Sequence, residues 1–521
     1  MGSRGEARRP LAPHDEVGIK PEFVAPQPAN SADPNGKLWQ AFARSVRDNV
    51  FAEITLQAIR VGGMIVLARE LMPNDFGIFR VLLIVMYFAL IPIENGIPEA
   101  LIQRRTLLPQ HESTGWCLSV AVSIAMAVLL YVSAPLLAGV MAMPGIEPYV
   151  RLLCIPMILQ GTAMVSNARL RREMRFGALA SAEVFAEMVF LAAALFLLLD
   201  GYPRYSLPGA LAARIAAYSL ALWVTDRRFA AVWPRLWAAR DFGRFTTAVW
   251  GARTIYCCSA NADFLLVGRF LGGNALGFYS MVWDLLRFVP DRLFRIAGRV
   301  TFPAFSRVQD DDAQLAHAFG EFTGYIARFV LPIMAMTAIA APEFIGFVYG
   351  AKWMPTVVPL RLLSIGFTLM GLRIGIGSVF YSKDHPSYDM WTHGIRLILI
   401  VVTVAPLAMY AGLGSVSADM AVVEGAISLI GLYLAARLVK STLTRILATA
   451  LPGLKLAIAC SIAALAGKEL ALAMGAQGAA VLAAEALPAL AVFLWMEASI
   501  FIDMISKAFR PAAPQTALQS E

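Results

Sequence analysis

Residues 65–80 read IVLARELMPNDFGIFR, and residues 265–280 read LLVGRFLGGNALGFYS. The second stretch follows the first by 200 positions without a gap. The register pairs Arg69 with Arg269, Leu71 with Leu271, Asn74 with Asn274, Gly77 with Gly277 and Phe79 with Tyr279. Outward, it adds Phe42/Phe242, Arg44/Arg244, Ala52/Ala252 and Phe88/Phe288. In each copy an apolar helix ends at Arg-x-Leu, a short polar turn follows, and a glycine with an aromatic close behind opens the next apolar helix. Such a repeat predicts two related membrane halves facing each other, a plan common in transporters.

The composition agrees with a membrane protein. At 58% hydrophobic and 15% charged residues, the 521-residue chain is far more apolar than a soluble domain. Its mean hydropathy is +0.64, and apolar runs long enough to span a bilayer recur along nearly its whole length. The net charge of +8 sits in short loops between those runs, a topology signal that excludes a nucleic-acid-binding face. Cys117, Cys154, Cys257, Cys258 and Cys460 show neither CxxC nor metal-ligand spacing, and read as small buried hydrophobes. The five histidines lack HExxH or paired spacing, so no metalloenzyme follows. The run Gln309-Asp310-Asp311-Asp312 lacks the alternating ligands and glycine of a calcium loop and reads as the start of a helix.

In chain order, residues 1–36 predict a disordered cytoplasmic tail and 37–48 an amphipathic surface helix. Six spans follow near 49–69, 78–98, 115–140, 148–167, 181–199 and 206–224. Six more lie near 246–268, 276–300, 324–349, 355–379, 391–411 and 413–436, and two near 450–467 and 476–502. The expected fold is an all-α integral membrane protein of about fourteen helices. A six-helix lobe (37–240) and a second (241–440) precede two extra helices (441–505) and a cytoplasmic tail (506–521). With the N-terminus in the cytoplasm, Arg169, Arg171, Arg172, Arg175, Arg227, Arg228, Arg437 and Lys440 fall in loops on that side. The opposite loops carry little beyond Arg69, Arg204, Arg269, Lys352 and Lys468, so both termini are expected in the cytoplasm.

Ionisable residues within spans point to function, because each costs about 2.5–3.5 kcal/mol at a helix centre without water or a partner. Glu53, Gln57 and Arg60 share one face of the first span. Asp284, Arg287, Asp291, Arg295 and Arg299 share an arc of the eighth, with Phe288 inside it and Arg292 at its edge. With Arg253, Asn261, Asp263 and Arg373, they predict a wet cavity between the halves. Arginine stays charged and offers a planar fork for phosphate or carboxylate oxygens, so an anionic cargo is expected. Gln57, Tyr256, Asn261 and Trp283 are candidates to meet sugar.

The stretch ADFLLVGRFLGGNALGFYS…RVTFPAFSRVQDD, from Ala262 to Asp311, resembles the lipopolysaccharide/oligosaccharide flippases of the Wzx type. IVLARELMPNDFGIFR is similar to the opening of the same family's first half. That family belongs to the multidrug/oligosaccharidyl-lipid/polysaccharide exporter superfamily, built as two six-helix lobes with two extra helices in the polysaccharide branch. The resemblance implies a flippase, not an enzyme. Its cargo would be an undecaprenyl-pyrophosphate-linked oligosaccharide, moved across the bacterial inner membrane while the lipid tail stays in the bilayer. Its implied partners are that lipid-linked glycan, membrane lipid, and polysaccharide polymerase or export machinery. No cofactor and no metal are expected; the coupling ion, proton or sodium, stays open, with Glu53, Asp263 and Asp284 as candidates. A multidrug or organic-cation antiporter on the same fold is the alternative, and it would want an acidic, arginine-poor cavity. A membrane-embedded glycan polymerase would want a large outer loop, and the outer loops here are short.

Overall fold

The computed structural model describes residues 55–104, 107–228, 233 and 235–508. The expected tail at 1–36, the surface helix at 37–48 and Glu53 lie outside the described residues. Every regular element among the described residues is helical. In the first half these are α1 (55–70), α2 (Pro73–Glu94), α3 (Ile97–Gln103), α4 (Pro109–Met141), α5 (Glu147–Leu152), α6 (Cys154–Arg172), α7 (Phe176–Leu199) and α8 (Pro203–Thr225). The long α9 (Leu236–Arg307) opens the second half, followed by α10 (Asp312–Ile339), α11 (Ala341–Phe344), α12 (Val357–Leu372), α13 (Ile376–Ser382), α14 (Ser387–Leu399), α15 (Ala405–Tyr410) and α16 (Gly412–Leu438). The chain then forms α17 (Leu443–Ala448), α18 (Leu451–Ala473) and α19 (Ala479–Ala508). Eleven helical stretches among the described residues are long and apolar enough to cross a membrane.

Local chemistry sets the breaks. Proline stands in the first turn of α2, α4 and α8, where its missing N–H costs nothing and its fixed φ suits a helix start. Asp311 caps α10, its carboxylate accepting from the backbone N–H of Ala313 and Gln314 at 2.9 and 3.0 Å. Gly272, at φ +84°, breaks α9 into arms of 236–271 and 273–307; a Cβ would be strained there.

The repeated stretches meet face to face. A Cβ on Gly77 would lie 2.0 Å from the Gly273 carbonyl oxygen, and one on Gly277 would lie 1.8 Å from that of Pro73. Residue 77 thus rests on 273 while 277 rests on 73, a reciprocal contact in the 200-residue register read from the sequence. Only glycine lets two helix starts approach this closely. Around it packs the main core, including Phe76, Tyr279, Trp283, Trp353 and Phe367, with Phe76 and Phe278 edge-on to Trp353 at 5.1 and 5.9 Å.

Several expected boundaries are corrected. The span expected at 324–349 ends at Ile339, and 341–356 forms α11, a π-helical turn and a 3-10 turn. That segment reaches back to the first half. Arg69 donates to the carbonyls of Val348 (2.8 Å) and Phe347 (2.5 Å), while Lys352 and the Trp353 indole donate to those of Arg69 and Ala68 (2.6 and 2.8 Å). These bonds satisfy carbonyls that the end of α1 and the irregular turn would leave open. The span expected at 355–379 falls within one apolar stretch, Ala351–Ser382, whose helix is interrupted at Arg373–Gly375, where Gly375 takes φ +105°. Residues 506–508, assigned to a tail, continue α19.

Candidate functional site

Away from the glycine contact the two halves part, and α1, α2, α7, α8 and α9 enclose a cavity of about 770 Å³. The α2 wall is one face at near-heptad spacing: Arg80, Leu83, Tyr87, Leu90 and Glu94. Arg80 lies closest to the closed end and Glu94 farthest from it, so the cavity occupies the end carrying the arginine-rich loops.

The structure brings together Gln57 and Arg60 from α1 with Arg253, Asn261, Asp284, Arg287, Asp291 and Arg295 from α9 around this cavity, beside Tyr256, Phe288 and Arg292. The side chain of Arg299 lies outside the described residues. Glu94, Glu187 and Arg214, which the sequence places among the ionisable residues within spans, line the cavity too, as does Arg80, which the sequence does not single out. The seven-residue interval from Arg80 through Tyr87 to Glu94 was a legible signal for the α2 face.

Three candidates are corrected. Asp263 is fully buried and accepts from the Tyr279 hydroxyl at 2.9 Å; it lies about a quarter-turn from the centre of the Arg253–Asn261 face. Arg373 closes α12 and pairs with Glu424 of α16 at 3.9 Å, where Arg396 also binds Glu424 at 2.7 Å. Both residues therefore belong to the interior of the second half. Trp283, taken as a sugar-contact candidate, is buried against Phe264, Tyr279 and Phe367.

Seven arginines and four carboxylates line the cavity. Arg80 binds Asp284 at 2.5 Å, Arg60 and Arg214 share Glu187 at 3.2 and 3.4 Å, and Arg287 lies 3.7 Å from Asp291. Positive charge is in excess by three after every acid is matched. Rings hold the guanidinium groups as well: Arg80 lies 4.7 Å from the Phe264 centroid and Arg292 4.9 Å from that of Phe288. A surplus of forked donors, partly fixed and facing water, is suited to a phosphate-rich anion. Among the described residues no group of histidine, cysteine and carboxylate side chains could hold a metal ion.

Outside the bilayer-crossing stretches, Asp226 anchors the arginine-rich end. Burial pushes its carboxyl up, but hydrogen bonds from Arg228 and Arg169 outweigh that and hold it below the usual aspartate range. Arg169 also binds Glu112 at 2.8 Å, tying α4, α6 and the end of α8 together.

A family model described as polysaccharide biosynthesis protein matches residues 66–358. The teichuronic acid biosynthesis protein TuaB of Bacillus subtilis (strain 168) is 27% identical over 363 residues, covering 68% of this chain and 74% of TuaB. The lipopolysaccharide biosynthesis protein WzxC of Escherichia coli (strain K12) is 22% identical over 396 residues, covering 73% of this chain and 75% of WzxC. In fold, the chain matches the lipid II flippase MurJ in an inward closed conformation with a TM-score of 0.71 at 12% identity, covering 88% of this chain and 99% of that one. It also matches an inward-facing multidrug resistance MATE family transporter of the MOP superfamily, with a TM-score of 0.61 at 14% identity, covering 75% and 95%.

Proposed function

This chain belongs to the polysaccharide biosynthesis protein family, in the Wzx-type branch of the multidrug/oligosaccharidyl-lipid/polysaccharide exporter superfamily, and from that premise we propose that it flips an undecaprenyl-pyrophosphate-linked oligosaccharide across the bacterial inner membrane. The observation that carries the proposal is the arginine-rich cavity, open at one end and shut at the other by the Gly77/Gly277 contact. The family is one of multi-pass membrane transporters rather than enzymes.

In this reading the arginine-rich end faces the cytoplasm, as the positive-inside bias asks, and both termini lie there. Fourteen spans result when α1 and the two arms of α9 join the eleven apolar stretches. They divide into lobes at 37–240 and 241–440 with two extra helices at 441–505. The diphosphate enters against Arg60, Arg253, Arg287 and Arg295, and the polyprenyl tail stays in lipid. The two lobes then rock about the glycine contact, closing the cytoplasmic end while the opposite end opens. Matching of Asp284 and Asp291 by arginine leaves the wall cationic, which disfavours the organic-cation antiporter.

The test is the sidedness of lipid-linked glycan in membranes of a strain depleted of the protein. Accumulation on the cytoplasmic face, restored by the wild-type chain and not by Arg287→Ala or Arg295→Ala at equal abundance, is expected. Normal arrival at the periplasmic face would move the antiporter reading to first place.

A further inference from the structure

Beside the arginine cavity lies a second one of about 380 Å³, sharing Arg60, Glu94, Glu187 and Arg214 as a common wall. Apart from Arg253, its lining comes from the first half alone, chiefly α6, α7 and α8, so rocking of the halves would carry it as a unit. Its chemistry differs from that of its neighbour: four arginines face four carboxylates. A diphosphate would meet four carboxylates there, and a bare cation would meet four arginines. Several hundred Å³ is the size of a small-molecule pocket and far exceeds an ion site.

The polar groups facing this space are fixed. Gln160, on α6, is 6% exposed; its amide nitrogen donates to Glu94, and its carbonyl Oε1 has no hydrogen-bond partner. A desolvated acceptor left open costs about 1–3 kcal/mol until a donor arrives. Two turns on, Asn167 donates to the Tyr218 hydroxyl at 2.9 Å, which places an aromatic ring and an amide on the same wall. A hydroxyl group donates to a carboxylate or amide oxygen and accepts from a guanidinium at the same time. A ligand dense in hydroxyls matches a charge-balanced set of carboxylates, amides and arginines better than an ion of either sign.

We propose that this side pocket binds the sugar next to the diphosphate, with Gln160 Oε1 accepting one of its hydroxyls, while the diphosphate rests on the arginines of the main cavity. The inference rests on the flippase reading above and adds to it a seat that selects the glycan. The shared wall at Arg60, Glu187 and Arg214 fits a ligand whose sugar and diphosphate are directly joined.

The full chain in nanodiscs would be titrated with two lipids: undecaprenyl diphosphate, and undecaprenyl diphosphate carrying the first sugar of the repeat, isolated from cells lacking the protein. Wild type is expected to hold the glycosylated lipid about tenfold more tightly, the worth of roughly one well-made hydrogen bond. Gln160→Leu should abolish most of that preference while leaving affinity for the bare lipid within about twofold. Tyr218→Phe, which removes only a hydroxyl, serves as the milder second variant should Gln160→Leu lose monodispersity. An undiminished preference in the folded variants, or none in wild type, overturns the inference and leaves the arginine cavity standing. If wild type binds neither lipid, and Arg287→Ala changes nothing, the flippase reading itself falls, and this inference with it.

Discussion

Gly277→Ala is the most incisive single perturbation of this molecule. The added Cβ would sit 1.8 Å from the Pro73 carbonyl oxygen, against about 3.4 Å for the shortest ordinary contact, so the two backbones must part by about 1.6 Å. Backbone atoms on both sides leave no side chain to swing away. Overpacking of this kind costs about 1–3 kcal/mol, and that cost falls only on the state in which the two halves touch here. The population should move by about 5- to 150-fold toward the state open at this end. Gly77→Ala, at 2.0 Å from the Gly273 carbonyl, should act alike. Gly62→Ala meets nothing within 4 Å and is the control. The assay is the distance between spin labels at Arg227→Cys and Lys440→Cys, both exposed at the arginine-rich end, in a chain cleared of its five cysteines. Distances should shorten in both glycine variants and not in Gly62→Ala. An unchanged distribution in properly folded Gly277→Ala would refute the view that this contact is the closed gate.

Other predictions follow from the same geometry. Arg69→Ala removes two bonds to the Phe347 and Val348 carbonyls; in the same label pair it should shift the distance in the Gly277→Ala direction but less, since Arg69 is partly in water. Lys468 bridges Glu343 at 2.5 Å and the fully buried Glu485 at 3.0 Å. Lys468→Met should cost about 3–5 kcal/mol by leaving Glu485 unpaired, and Lys468→Met with Glu485→Leu should recover much of the lost thermal stability; no recovery would mean the pair is not what joins α18 and α19. Asp226→Asn should cost about 2 kcal/mol at neutral pH, the worth of charged hydrogen bonds to Arg169 and Arg228. Because the folded carboxyl titrates below its unfolded value, this stabilisation is complete above about pH 5 and lost as pH falls through the lowered value. Melting curves of the two proteins should therefore converge on acidification below about pH 4; a gap independent of pH would remove charge as its cause.

The class of the protein and its helical architecture were legible in the sequence, because apolar run length is a local property. The Arg69/Arg269 register was read from letters alone, and the structure presses residue 77 on 273 and 277 on 73. The charged stripe from Asp284 to Arg295 was equally legible, since helical spacing assigns a face without knowing what it meets. What that face meets was not. Asp263 and Arg373 carry the same chemistry as their cavity-lining neighbours, yet Asp263 turns to Tyr279 and Arg373 to Glu424. Helix rotation and long-range pairing decide that, and neither leaves a periodic mark. The break of the ninth span at Ile339, with the hooked segment that grips the end of α1, belongs to the same category. Carbonyls freed at 347 and 348 become useful only because Arg69, nearly 280 residues earlier, arrives beside them. Periodicity along one helix determined what could face water; packing between helices decided which of those residues share one cavity.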